Sequence, residues 1–297
     1  MKIICVGEVL WDLLPSGMFL GGAPFNVACD LHQLGCATTM ISRVGDDDSG
    51  RRVIDVMRAR GMDRRFIQTD PVLPTGVVHV RLDAKGMPQF TIDRPAAWDA
   101  IESPHQAVSG DEESSSILVF GSLAQRSERS RATIHALQAR VPVSVFDVNL
   151  RQPYDDAKIV HSSLARSTIV KLNSAELLRI AEWFGLPSSE KEFCETLHSE
   201  FGCETVCITR DAHGAALWHN HSVWIEHPGF SIDVKDTVGA GDAFLAGFIS
   251  RLSAGAGWNE ILEYSNLMGA FVASRDGATP EFSQAEIRAF AASARLR

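Results

Sequence analysis

Ile3-Ile4-Cys5-Val6 is an unbroken apolar run that stops at Gly7, as expected of a strand covered on both faces. Gly21-Gly22-Ala23-Pro24 then leads into Phe25 to Leu34, whose apolar spacing predicts a helix with Pro24 in its first turn and Gly35 as its stop. A strand over Thr38 to Val44 and a helix over Ser49 to Arg60 follow, the helix ending before Gly61. This β-then-α alternation predicts a parallel sheet flanked by helices. Between about Val72 and Arg94 the period changes to two. Gly76 to Leu82 and Gln89 to Arg94 alternate, with Asp83-Ala84-Lys85-Gly86 as a hairpin turn, so an antiparallel insertion outside the main sheet is expected. Alternation of strands and helices resumes with Ser116 to Gly121, Arg129 to Arg140, Val143 to Val148 and Thr168 to Leu172. The last sixty or so residues read as nearly all helical. Neither an internal repeat nor a Pro- or Ser-rich linker interrupts the chain, and Asp111-Glu112-Glu113 with the serines after it reads as a solvated loop.

Composition narrows the function classes. The 297 residues are 45% hydrophobic and 22% charged, which suits a folded globular chain with a deep core. No stretch approaches the roughly 18 consecutive apolar residues of a membrane span. A formal charge of −9 argues against nucleic acid as a partner, and the short arginine groups read as solvated helix faces. Cys5, Cys29, Cys36, Cys194, Cys203 and Cys207 form no CxxC pair and sit in apolar or helical contexts, as small buried hydrophobes do in a reducing compartment. Glu8 and Asp12 interrupt the first apolar run, so it reads as a strand rather than a secretory signal, and a cytoplasmic protein is expected.

Asp236-Thr237-Val238-Gly239-Ala240-Gly241-Asp242 opens the apolar helix that runs to Leu252. The start of a helix offers unpaired N–H groups and a positive dipole end, suited to a phosphate or to developing negative charge. A carboxylate in its first turn can take a proton from a hydroxyl held beside that site. A plain glycine loop with a capping aspartate would have the same sequence. The loop does not complete GxGxxG, since Phe244 holds the last position, and no GxxxxGK[ST] occurs anywhere. Gly21-Gly22 with Asn26 forms a second signal, a close-approach backbone beside an amide that both donates and accepts, as a polyhydroxylated ligand requires.

In order along the chain, Gly21 to Asn26, Gly45-Asp46-Asp47-Asp48-Ser49-Gly50, Asp147-Val148-Asn149-Leu150-Arg151, Asn173-Ser174-Ala175-Glu176, Thr209 to Gly214 and Asp236 to Asp242 together resemble the ribokinase-like (PfkB) carbohydrate kinases. The resemblance spans nearly the whole chain. It implies an α/β fold, a ribokinase-like doubly wound sheet flanked by helices with a small β-rich lid, in a single domain over 1–297. The lid would be formed by about 12–21 and 72–98.

The resemblance also implies site roles. Asp242 is similar to the family's catalytic base, and the N–H groups of Gly239, Ala240 and Gly241 to its anion hole. Asp12, Gly22 and Asn26 match sugar-binding positions, although Asp12 also suits a turn before Leu13-Leu14-Pro15. Arg94 and Arg151 are placed to touch sugar or phosphate, with surface salt bridging as the competing account of Arg94. Asn173 and Glu176 match NxxE, associated with ATP and Mg2+ held partly through water; the alternative is a capping asparagine followed by an exposed glutamate. Thr209, Gly214 and Asn266 fall at nucleotide-pocket positions, and Asp236, Val238 and Gly277 at a monovalent-cation site, taken as K+. Two departures stand out: Asp211 where many relatives have glycine, and Phe25 where fructokinases often have a small residue. His219-Asn220-His221 lies between two apolar runs and reads as a β-turn rather than a metal site.

Gly21 to Asn26 and Asp93 to Asp99 look more like fructokinases than ribokinases. The resemblance therefore implies transfer from ATP to D-fructose, at the 6-hydroxyl. Ribose, 2-keto-3-deoxygluconate and nucleosides are the rival acceptors, and a non-catalytic sensor on the same fold is the rival class. A homodimer formed through the lid is also implied.

Overall fold

A computed structural model of the chain describes residues 1–14, 17–82, 88–104 and 115–297. The hairpin turn expected at Asp83 to Gly86 and the acidic loop at Asp111 to Glu113 lie outside the described residues. In chain order the elements are β1 (Lys2–Val6), β2 (Leu10–Leu14), β3 (Gly17–Gly21), α1 (Ala23–Gln33), β4 (Thr38–Gly45), α2 (Asp48–Ala59), β5 (Ile67–Asp70), β6 (Gly76–Leu82), β7 (Pro88–Ile92) and β8 (Ser116–Gly121). Then follow α3 (Glu128–Gln138), β9 (Val143–Asp147), α4 (Ala157–Leu164), β10 (Ile169–Asn173), α5 (Ser174–Phe184), α6 (Glu190–Phe201), β11 (Thr205–Thr209), β12 (Ala215–His219), β13 (Val223–His227) and β14 (Phe230–Ser231). The chain closes with α7 (Ala240–Ser253), α8 (Trp258–Ala273), α9 (Gln284–Ser293) and β15 (Arg295–Leu296).

A nine-stranded sheet runs in the order β13-β12-β11-β10-β9-β8-β1-β4-β5, parallel except for the β12–β13 hairpin at one edge. Its two faces explain the apolar run at the start of β1. Ile4 and Val6 join one core with Phe120, Phe146 and residues of α3 to α6, while Ile3 and Cys5 join the other with Phe25, Met40, Phe248 and residues of α1, α2, α7 and α8. Helices therefore cover both faces, and the doubly wound α/β arrangement is as expected.

The short strand β5 was not foreseen. Three of its four residues are polar and it lies at the sheet edge, so its register on β4 defines it rather than its own pattern. A second sheet of four strands runs β3-β2-β6-β7. Its β6–β7 pair is antiparallel as the alternation predicted, but β6 joins β2 in parallel, with Asp12 opposite Val78. A local pattern cannot show that pairing, because the partners are some 66 residues apart. His219 and Val223 close the β12–β13 hairpin, with Asn220 and His221 at positive φ, so that segment is the expected turn.

The strand order reverses at β1, whose neighbours are β8 and β4. In open α/β sheets the crevice at such a switch point, outside the carboxyl ends of the strands, is where ligands bind. Glu8, Gly121, Asp147, Asn173 and Thr209 lie at or just beyond those ends of β1, β8, β9, β10 and β11.

Candidate active site

At the carboxyl edge of the sheet the first turn of α7 and the first turns of α1 meet. Gly239 is the N-cap of α7 with φ 80°, and a Cβ there would collide with the Ala278 backbone, so only glycine fits. Of the three N–H groups expected to form the anion hole, that of Ala240 turns back to the Thr237 carbonyl at 3.2 Å. Gly241 is exposed, and Asp242 follows it in the first helical turn. The Asp242 carboxylate accepts a hydrogen bond from Asn26 Nδ2 at 2.8 Å. Asn26 is buried, and its Oδ1 has no protein partner. Two residues 216 apart in sequence thus form one hydrogen-bonded pair.

Gly22 caps α1 with φ 107°, where a Cβ would strike the Glu8 carbonyl, so α1 begins directly against the exit of β1. Phe25, the unusual residue in this motif, turns into the core beneath α1 and is 1% exposed, away from the pocket. Asp12 sits inside β2 opposite Phe19 and Val78, not in a turn. Burial raises its carboxyl to about 6 against the opposing pull of Arg151. Arg151 is itself exposed and acts on Glu8, Asp12 and Asp242, so the small sheet and the main sheet share one electrostatic site. Arg94 is exposed beyond β7 and forms no ion pair among the described residues.

Asn173 is the N-cap of α5, its Oδ1 accepting from the Glu176 N–H at 2.9 Å. Glu176 is buried rather than exposed. Its two oxygens accept from the N–H groups of Leu150 (2.8 Å) and Asn173 (2.9 Å). The capping box and the Leu150 bond thus engage one carboxylate oxygen each, leaving lone pairs that can accept from metal-bound water. The arrangement fits Mg2+ as an ion that keeps much of its water shell. No cluster of three or more His, Cys, Asp or Glu side chains arranged to hold a metal occurs among the described residues.

Thr209 ends β11 and Gly214 precedes β12, packed on the His227 carbonyl. Between them Asp211 takes φ 50°, so the loop keeps a backbone shape that glycine adopts most easily. Asn266 is buried on α8, with its Nδ2 donating to the Leu262 carbonyl of its own helix at 2.8 Å. Asp236 accepts from the N–H of Val238 (3.0 Å) and of Gly277 (3.3 Å), so the three residues proposed around a monovalent cation do converge, tied by that carboxylate.

Three buried groups were not singled out from sequence: Glu8, Asp147 and Lys171. Lys171 Nζ lies 3.0 Å from Asp147 Oδ1. Burial would depress this amine, but the carboxylates of Asp147, Glu176 and Asp242 outweigh it and raise its pKa. Burial pushes Glu8 up to about 7. Asp242, half-exposed but crowded by protein, rises to about 6 through burial and the charge of Asp147, opposed by Lys171, Asn26 and Arg151. The available signal was a single charge inside an otherwise apolar strand, Ile169-Val170-Lys171-Leu172. A carboxylate whose pKa lies near the working pH, beside free N–H donors at a helix start, is equipped to accept a hydroxyl proton next to an anion.

A family model described as pfkB family carbohydrate kinase matches residues 16–285. Aminoimidazole riboside kinase of Salmonella typhimurium is 29% identical, over 93% of this chain and 90% of its own length. A fructokinase of Escherichia coli is 28% identical, over 93% of this chain and 94% of its own. A double-mutant fructokinase of Vibrio cholerae O395, solved with fructose, ADP and potassium ion bound, superposes with a TM-score of 0.82 at 26% identity, covering 97% of each chain. The fold is ribokinase-like, and the chain belongs to the pfkB family of carbohydrate kinases.

Proposed function

We propose that this protein phosphorylates D-fructose from ATP, at the 6-hydroxyl. The observation that carries the reading is the Asn26–Asp242 pair, a poised carboxylate beside the free N–H groups at the start of α7. With the acceptor seated over Gly22 and Asn26, Asp242 takes the proton from its hydroxyl while that oxygen attacks the γ-phosphorus. The bond from the γ-phosphorus to the bridging oxygen of ADP breaks, and the N–H groups of Gly239 and Gly241 stabilise the charge in transit. Asn173 and Glu176 would hold Mg2+ through water, and the ion would supply charge neutralisation for the phosphates. Thr209, Gly214 and Asn266 belong to the nucleotide side of the site, Arg94 and Arg151 to the acceptor side, and a K+ near Asp236, Val238 and Gly277 steadies the anion loop.

In this reading the chain is one kinase domain, and the small sheet is a lid that closes over the acceptor and excludes water, so that sugar rather than water receives the phosphoryl group. Its exposed Leu14 and Phe19 suit a homodimer through the lid, which sedimentation would show as twice the chain mass. The protein works in the cytoplasm. No helix among the described residues is long and apolar enough to cross a membrane.

A riboside acceptor is the second reading, favoured by the aminoimidazole riboside kinase at 29% identity. Coupled ADP release over fructose, ribose, 2-keto-3-deoxygluconate and ribosides separates them. Fructose is expected to give the highest kcat/KM, with an acid limb near pH 6 because protonated Asp242 cannot act as a base. Asp242→Asn is expected to lose about 10²–10⁴-fold in kcat. A higher kcat/KM for a riboside would displace fructose, and near-normal turnover by Asp242→Asn would overturn the mechanism.

A further inference from the structure

Lys171 is the one buried lysine among the described residues, and the helix-start loop lies directly over it. A Cβ built on Gly241 would sit 3.3 Å from the Lys171 ammonium nitrogen, so the turn carrying the free N–H donors rests against this cation. On its other side the ammonium donates to Asp147 Oδ1 at 3.0 Å, while Asp147 Oδ2 is buried without a protein partner. Lys171 therefore lies between the end of β9 and the first turn of α7, the turn that carries Asp242.

We propose that Lys171 and Asp147 act as a positioning pair for phosphoryl transfer: an internal cation, aimed by its carboxylate partner, that sets the charge on Asp242 and supports the loop at Gly241. The assignment rests on the kinase reading for its purpose, but on this geometry for its charge effect. The groups facing Asp242 are Glu8 beyond β1, Asp30 and the Asn26 amide on α1, Asp147 at the end of β9, Arg151 after it and Lys171 on β10. Acidic neighbours outnumber basic ones, and Arg151 is exposed, so its charge is more screened by water. Lys171 is then the principal buried charge keeping Asp242 ionised near neutral pH. Asp147 does the reverse directly and also draws the ammonium toward itself.

The test is the titration of Asp242 in the full chain, followed by 13C-carboxyl aspartate NMR without nucleotide, with the signal assigned by its loss in Asp242→Asn. The wild-type midpoint is expected near 6. Lys171→Met should raise it by about one unit or more, Lys171→Arg should leave it within about half a unit, and Asp147→Asn should lower it. Equal shifts in Lys171→Met and Lys171→Arg would mean packing rather than charge and would overturn the assignment, as would an unmoved midpoint in Asp147→Asn. Should Lys171→Met fail to fold, the direction of the Asp147→Asn shift decides. ADP release by the same wild-type sample tests the kinase reading separately. Titrations that move as expected in a protein that phosphorylates no sugar would leave the charge assignment standing and remove the kinase.

Discussion

Glu8 is buried at the exit of β1 with Oε2 unpartnered, and its carboxyl is pushed up to about 7 from an ordinary 4.5. The sign of the consequence follows from proton binding. The folded state holds this proton more tightly than the unfolded state, so the ionised side chain destabilises the fold above pH 7, and the penalty fades as pH falls toward 4.5. At full ionisation it is on the order of 3 kcal/mol. Glu8→Gln should therefore melt higher than wild type at pH 8, with the gap closing by pH 5; a gap independent of pH in paired melting curves would refute this. A site that keeps such a group has given up stability for charge. From sequence Glu8 registers only as a break in an apolar run, because its burial comes from α1 beginning against β1 at Gly22.

At the scale of elements, the sharpest case is α5, where one four-residue motif serves helix and site together. The Asn173–Glu176 capping box satisfies helix-start donors, and Glu176 also accepts from Leu150, fixing the chain beyond β9 that leads to Arg151. Asn173→Ala should cost about 1 kcal/mol in denaturant unfolding through the lost cap. In the proposed kinase it should also raise KM for ATP more than KM for sugar, which steady-state kinetics with each substrate varied would check. The NxxE spacing and a capping asparagine were legible in sequence. That Glu176 is buried and reaches across to the β9 loop was not, since the contact spans 26 residues and depends on β9 and β10 lying side by side.

Across the whole molecule, Arg126 holds the small sheet to the body. Its guanidinium lies between the rings of Trp98 (3.8 Å) and Tyr154 (4.5 Å), pairs with both oxygens of Asp99, and donates to the Asp93 carbonyl at 2.7 Å, just beyond β7. Tyr154 adds a hydrogen bond to the Ile92 carbonyl at 3.1 Å. Arg126→Ala would leave Asp99 buried without its cation, a loss of about 3–5 kcal/mol. A clear fall in melting temperature is expected, and in the proposed kinase a higher KM for the acceptor than for ATP, because the lid hinge loosens. Unchanged melting would remove Arg126 from this role.

The sequence by itself determined the alternation of strands and helices, the turn at His219 to His221, and the glycine loop with Asp242. Each is set by local rules: apolar period, positive-φ turn positions and the free N–H groups of a helix start. Tertiary structure alone decided that β2 pairs in parallel with β6, that β5 is a strand, that Asn26 meets Asp242, and that Lys171 lies under Gly241. Those contacts join residues far apart in the chain, and burial, which gives Glu8 and Asp242 their shifted proton affinity, exists only once the layers have closed.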